Sequence, residues 1–137
     1  MQAQTMDALG SIEPIEPIGR LMKVTIIVND APYGSERTYN ALRLCDVLLK
    51  LEDDLELSVF LLGDAVWCAK AGQDTPTGYY NVSRMLLPIL RRGLVLVCET
   101  CMAARGLAQD DLVSGCRQAK LGELGMLVLD ADRILTF

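Results

Sequence analysis

The chain contains no histidine. That absence excludes Ser-His-Asp and Cys-His nucleophile systems, His-ligated zinc and imidazole proton shuttles. Long apolar runs are missing as well: "VTIIV", "LSVFLLG", "MLLPIL" and "LVLVC" all fall far short of the roughly 20 residues a membrane-spanning helix needs. No membrane span is therefore expected. The opening residues "MQAQTMDALG" have neither the basic start nor the apolar centre of an export signal. A cytoplasmic location with reduced thiols is the expectation that follows. Positive charge is in short supply, with 13 Lys and Arg against 18 Asp and Glu for a net charge of −5. The basic residues are scattered, and only Arg91 and Arg92 are adjacent. Phosphate backbones demand a positive field, so no nucleic-acid partner is expected. The glycines lack the spacing of a dinucleotide fingerprint or a P-loop, and no cofactor is expected.

What is present is apolar: 51% of the residues are hydrophobic although only 5% are aromatic. A chain of 137 residues has room for one core. The apolar surplus then points to a core plus a subunit interface. Residues 1–21 hold the repeat "IEPIEP" without helical or strand periodicity and read as a flexible tail, leaving 22–137 as one domain.

From Met22 short β-branched runs alternate with helical segments. "KVTIIVN" (23–29) is a continuous apolar strand of the kind buried on both faces of a parallel sheet. A helix over about 36–51 places Tyr39, Leu42, Cys45, Leu48 and Leu49 on one face. A second strand at 55–63 leads into a short helix around "DAVWCAKAG" and the polar turn "QDTPTG" (73–78). A helix over about 79–92 follows, in which Pro88 should kink or shorten the run. The third strand, 93–99, runs into a short helix that Gly106 stops. "CRQAK", a helical "LGELGMLVLDA" and a closing strand "DRILTF" complete the chain. This alternation is an α/β fold with right-handed crossovers, a mostly parallel sheet and helices on both sides. Ligands of such sheets sit at the carboxyl ends of the strands. Asn29-Asp30, Gly63-Asp64 and Cys98 to Cys101 all fall at that edge.

The cysteines carry the most chemistry. There are five, an odd number that cannot pair off completely within one chain. "CETC" (98–101) places Cys98 as the last strand residue and Cys101 at the start of a helix, where unpaired amides favour a thiolate. Arg105, one turn later, adds positive charge near the same sulfur. The competing reading has both cysteines filling space at a strand end. A zinc site needs two further ligands, whereas Cys45 and Cys68 lie on helices in apolar settings and Cys116 stands alone. Cys68 reads as core, with a pocket position open to it after the second strand. Asp30 and Asp64 are acid, base or loop-cap candidates at strand ends. "AGQDTPTGYYN" is either a cover for the edge, with Tyr79 and Tyr80 as bulk, or a plain surface connection.

"CETCMAARGL", together with "GDAVWCAKAGQDTPTGYYNVSRML" and "LGELGMLVLDADRILTF", resembles the DsrE/DsrF-like family and in particular its small YchN-like members. The resemblance spans about residues 22–137. It implies a flavodoxin-like three-layer sandwich on a five-stranded, mainly parallel sheet, and assembly as a homo-oligomer, trimer or hexamer. Relatives in the sulfur-relay branch carry a persulfide on a strand-end cysteine and pass the outer sulfur to a partner protein. The matching position is Cys101, with Cys98 as the other cysteine of the pattern. The function so implied is a sulfur carrier working through Cys101, assisted by Cys98 and Arg105, with donor and acceptor proteins as partners. Asn29, Asp30, Asp64, Cys68 and Tyr79 are the expected surround. A binding module for a small molecule or protein, and a CxxC redox sensor, are the alternatives.

Overall fold

Five strands, the central three of them buried on both faces, organise the chain. The computed structural model describes residues 21–137. The tail expected at 1–21 lies, Leu21 apart, outside the described residues. The strands are β1 (Met22–Val28), β2 (Leu55–Leu61), β3 (Leu94–Cys98), β4 (Arg117–Ala119) and β5 (Arg133–Thr136), arranged β4-β3-β2-β1-β5. Every neighbouring pair is parallel, with Val24 opposite Leu57, Ser58 opposite Leu94 and Thr25 opposite Ile134. The sheet is wholly parallel where the sequence implied mainly parallel.

Alternation within this register divides the side chains between two faces. Ile26, Val28, Val59 and Val97 share one buried face, and Thr25, Ser58, Phe60 and Leu96 share the other. Burial on both sides is why these strands read as unbroken apolar runs. On the first face, α1 (Arg37–Leu51) buries Ala41, Leu42, Cys45 and Leu49, one helical stripe. It packs on α2 (Val82–Met85) and α3 (Leu87–Arg92); α2 packs on a 3-10 helix, Gly63–Ala69, which in turn packs on α4 (Glu99–Ala104). After β4 the chain returns across the sheet through α5 (Leu121–Asp130) to β5 on the far side of β1. The reversed direction of that right-handed crossover puts α5 on the second face. The result is a flavodoxin-like three-layer α/β sandwich.

The second layer is thin. α5 buries only Leu124 fully, while Met126 is 73% and Leu129 is 89% exposed. A groove of about 580 Å³ runs between α5 and the start of β3, lined by Leu94, Leu96, Met126 and Leu127 with Arg117 and Glu123 at its rim. It lies at the amino end of β3, away from the cysteines at the other end. No helix among the described residues is long and apolar enough to cross a membrane.

The helix expected over 79–92 is two. Asn81 caps α2 by accepting the Arg84 amide at 3.1 Å, which leaves Tyr79 and Tyr80 outside the helix. Pro88 has no amide to donate back to Arg84, so the ladder breaks at Leu86 and Pro88 serves in the first turn of α3. Arg92, at the end of α3, donates to the carbonyls of Leu49, Glu52 and Asp53 and so closes the C-terminus of α1. Gly93 then lets β3 start directly under β2: a Cβ there would stand 2.6 Å from the Leu57 carbonyl oxygen.

Candidate functional site

Cys98 ends β3 with its backbone already turning out of the strand, and its Sγ accepts the Cys101 amide at 3.4 Å. It is therefore the N-cap of α4, and Cys101 is the third residue of the first turn. The sequence placed Cys101 at the helix start; the helix begins at Glu99, so the stabilising amide reaches Cys98 instead. Thr100 Oγ1, 3.4 Å away, adds a second contact to the same sulfur. The other end of α4 is closed by a Schellman pairing, Gly106 to Ala103 at 3.2 Å and Leu107 to Met102 at 2.9 Å. Gly106 makes it possible by adopting a φ of +71°. Six residues capped at both ends hold the two sulfurs on one turn.

Burial separates the five thiols. Cys45, Cys68, Cys98 and Cys116 are buried, and Cys101 alone is partly open to solvent. Desolvation pushes Cys45 and Cys68 up to about 12 and Cys116 up to about 11, so these sulfurs stay protonated and inert. At Cys98 desolvation also pushes upward, but hydrogen bonds from Cys101 and Thr100 outweigh it and hold the thiol below the ordinary cysteine value. At Cys101 desolvation and the neighbouring Cys98 sulfur raise the thiol, against weaker opposition from the Gly63 amide and the Arg105 charge. The more acidic sulfur is the enclosed one, and the accessible sulfur is the less acidic.

Arg105 is engaged elsewhere than on sulfur. Its Nε and Nη2 converge on Asp64 Oδ1 at 3.0 and 2.9 Å, and its Nη1 donates to the Cys101 carbonyl at 3.0 Å. The guanidinium thus ties α4 to the 3-10 helix that follows β2. Asp64 is in place because Gly63, at φ +55°, turns the chain sharply out of β2. Cys98, Cys101, Arg105 and Asp64 accordingly form one hydrogen-bonded group at the carboxyl ends of β2 and β3.

The remaining predicted residues lie on the β1 side of the edge. The Asn29 amide and Nδ2 both donate to the Phe137 carbonyl, at 2.9 and 3.3 Å, which fastens the chain end to β1. Asp30 accepts Ser35 Oγ at 2.7 Å through its carboxylate and Thr38 Oγ1 at 2.9 Å through its carbonyl. Cys68 Sγ faces that same carbonyl at 4.0 Å, sealed from solvent. Tyr79 is 50% exposed and stacks on Tyr80 at 4.7 Å between ring centroids.

Sequence reasoning missed the extent of this aromatic group. Tyr33, Tyr39, Tyr79 and Tyr80, every tyrosine in the chain, form one cluster, with the Arg43 guanidinium 5.2 Å from the Tyr39 ring centre. Gln73 was missed too. Its Nε2 donates to the carbonyls of Trp67, Cys68 and Lys70, and its Oε1 accepts the Tyr33 hydroxyl at 2.6 Å. Tyr33 in turn accepts the Val82 amide at 3.1 Å, and Asn81 donates to the Gln73 carbonyl at 2.8 Å. The segment 73–81 is pinned at both ends. The scarcity of aromatics and three of them near two Gly-containing loops were the available signals. No group of three or more metal-ligating side chains occurs among the described residues.

Comparison with known proteins agrees with this architecture. The family model described as the DsrE/DsrF-like family matches residues 22–137. Protein YchN of Escherichia coli is 39% identical over 118 residues, which cover 85% of this chain and 100% of that protein. The crystal structure of the ychN protein from the same species superposes with a TM-score of 0.81, again covering 85% of this chain and 100% of that one. A protein named Sulfurtransferase TusD homolog, from Vibrio vulnificus, is 28% identical over a 131-position alignment that covers 85% of this chain and 98% of that protein. With the parallel sheet and the strand-end cysteines already in place, these matches establish that the chain belongs to the DsrE/DsrF-like family.

Proposed function

We propose that this protein acts in sulfur relay, accepting sulfane sulfur as a persulfide on Cys101 and handing it to an acceptor protein. One observation carries the reading: of the five thiols, only Cys101 is open to solvent, so only it can meet a sulfur held by another protein. A relative named as a sulfurtransferase homolog supports the same chemistry. Persulfide exchange needs an accessible sulfur that can attack and leave, and requires no histidine, metal or nucleotide. Cys98 supports Cys101 from the same turn, and Arg105 positions the turn that carries both. Asn29, Asp30, Asp64 and Tyr79 supply the rim against which donor and acceptor proteins dock; Cys68 backs it from the core.

Assembly as a homo-oligomer, trimer or hexamer, in the cytoplasm completes the proposal. It is supported by the exposed leucine and methionine of α5 and by Ile134 and Leu135 on edge strand β5. Intact mass after incubation with polysulfide is the test. Wild type gains a reducible sulfur and Cys101→Ser does not; equal labelling of the two removes Cys101 from the role. The tyrosine cluster with its exposed Tyr79 favours a second reading, a binding module in which the thiols are structural. That reading is selected by a Cys101 that takes no sulfur and resists alkylation.

A further inference from the structure

Two sulfurs lie on one helical turn, and only one of them can be reached from outside. Cys98 Sγ accepts the amide of Cys101 at 3.4 Å and is 3% exposed. No donor or acceptor protein can touch it, so any chemistry of Cys98 is confined to groups of this chain. The only thiol on the same turn is Cys101, because Cys45, Cys68 and Cys116 belong to α1, the 3-10 helix and the loop before β4. N-cap and third helical residue is a placement from which two cysteines of a CxxC can pair.

We propose that Cys98 is a resolving nucleophile: it attacks Sγ of the Cys101 persulfide, closes a Cys98–Cys101 disulfide and releases the carried sulfur as hydrosulfide. The proposal rests on the carrier reading of Cys101 and adds a second exit for the sulfur. The balance is Cys98–S⁻ plus Cys101–S–SH giving Cys98–S–S–Cys101 plus HS⁻. The sulfane sulfur is reduced to sulfide, and the two cysteines are oxidised to the disulfide. An external dithiol, itself oxidised to a disulfide, returns both thiols and completes the cycle.

Attack on the inner sulfur is the productive direction. The outer sulfur would merely move to enclosed Cys98, with Cys101 thiolate as leaving group, and no acceptor reaches it there. Hydrosulfide is the conjugate base of a stronger acid than an alkyl thiol, and the more stable leaving group departs faster. The hydrogen bonds from Cys101 and Thr100 that hold Cys98 toward its thiolate supply the attacking species. A carrier whose acceptor is present delivers sulfane sulfur; one whose acceptor is absent discharges sulfide and becomes a disulfide until a dithiol resets it.

Wild type, Cys98→Ser and Cys101→Ser are loaded with inorganic polysulfide, desalted, and followed without added thiol by intact mass and a hydrosulfide assay. Serine keeps an N-cap oxygen, and circular dichroism checks that each variant is folded. Wild type sheds its sulfur and ends two hydrogens lighter than the reduced protein, with peptide mapping locating the bond between Cys98 and Cys101. Cys98→Ser, compared per loaded sulfur so that any change in loading drops out, releases hydrosulfide about tenfold or more slowly than wild type, having lost the nucleophile. Equal release from both, or wild type that loads and never discharges, overturns the resolving role and leaves the carrier reading intact. Wild type that never loads overturns the carrier reading, and the release step with it. Independently of loading, equilibration of wild type in glutathione redox buffers must yield the Cys98–Cys101 disulfide; its absence also overturns the resolving role.

Discussion

Replacing Arg105 by methionine tests whether this side chain holds the site together or tunes its sulfur. Its guanidinium makes two bonds to Asp64 Oδ1, at 3.0 and 2.9 Å, and one to the Cys101 carbonyl at 3.0 Å. The Arg105 side chain is 27% exposed and that of Asp64 is 65% exposed. An ion pair so open to water is worth ~0.2–1 kcal/mol. Loss of the charged donor to the carbonyl adds about 1 kcal/mol, limited because water can take its place. The variant should therefore lose about 1–2 kcal/mol, which for a domain of this size lowers Tm by roughly 3–10 °C. Thermal unfolding of Arg105→Met, Asp64→Asn and the double variant closes a cycle, with coupling below about 1 kcal/mol expected. The Arg105 charge lowers the Cys101 thiol, but it is the smallest of the influences on that sulfur. Its removal should slow iodoacetamide alkylation of Cys101 only slightly, by less than about threefold. An unchanged Tm with alkylation slowed about tenfold or more would refute the argument, because the guanidinium would then be acting on sulfur and not on the fold.

Two other perturbations follow from the same geometry. Cys98→Ser removes a sulfur that raises the Cys101 thiol by both hydrogen bond and charge, so the pH profile of Cys101 alkylation should move to lower pH; a move to higher pH contradicts the assigned sign. Gly93→Ala puts a Cβ 2.6 Å from the backbone oxygen of Leu57, which neither strand can yield without shifting, and should cost about 2–3 kcal/mol in chemical denaturation. A midpoint equal to wild type would show that β3 starts further from β2 than described.

The sheet was legible because burial on both faces leaves a strong mark. "KVTIIVN", "LELSVFL" and "LVLVC" have no polar face to confuse them with surface helices, and the loops between them bring 29–30, 63–64 and 98–101 to one edge. β4 is only three residues, too short for "CRQAK" to show a strand pattern, and the fifth strand was implied by the family resemblance alone. The break in the helix over 79–92 was legible at Pro88, whose missing amide interrupts the ladder. Its start was not, because nothing apolar or aromatic stops before Tyr79 and the Asn81 cap sets the first helical residue at Val82. Gln73 escaped notice for a different reason. Its bond to Tyr33 joins residues 40 apart, and no local pattern marks a glutamine that collects the carbonyls at the end of a 3-10 helix.

The division between Cys98 and Cys101 depended on a shift of two residues. Reading α4 from Cys101 assigns exposure and acidity to one sulfur; starting it at Glu99 assigns them to two. The division has a physical basis. An amide stabilises a thiolate only when it points at the sulfur, and the turn that aims the Cys101 amide at Cys98 also covers Cys98 from solvent. A sulfur beyond that turn stays open but forgoes the amide. A protein that must expose one sulfur to large partners and keep another ready to ionise meets both demands with an N-cap cysteine and a cysteine three residues later. Neither position alone supplies both properties, so the spacing of the pair matters more to this site than the acidity of Cys101.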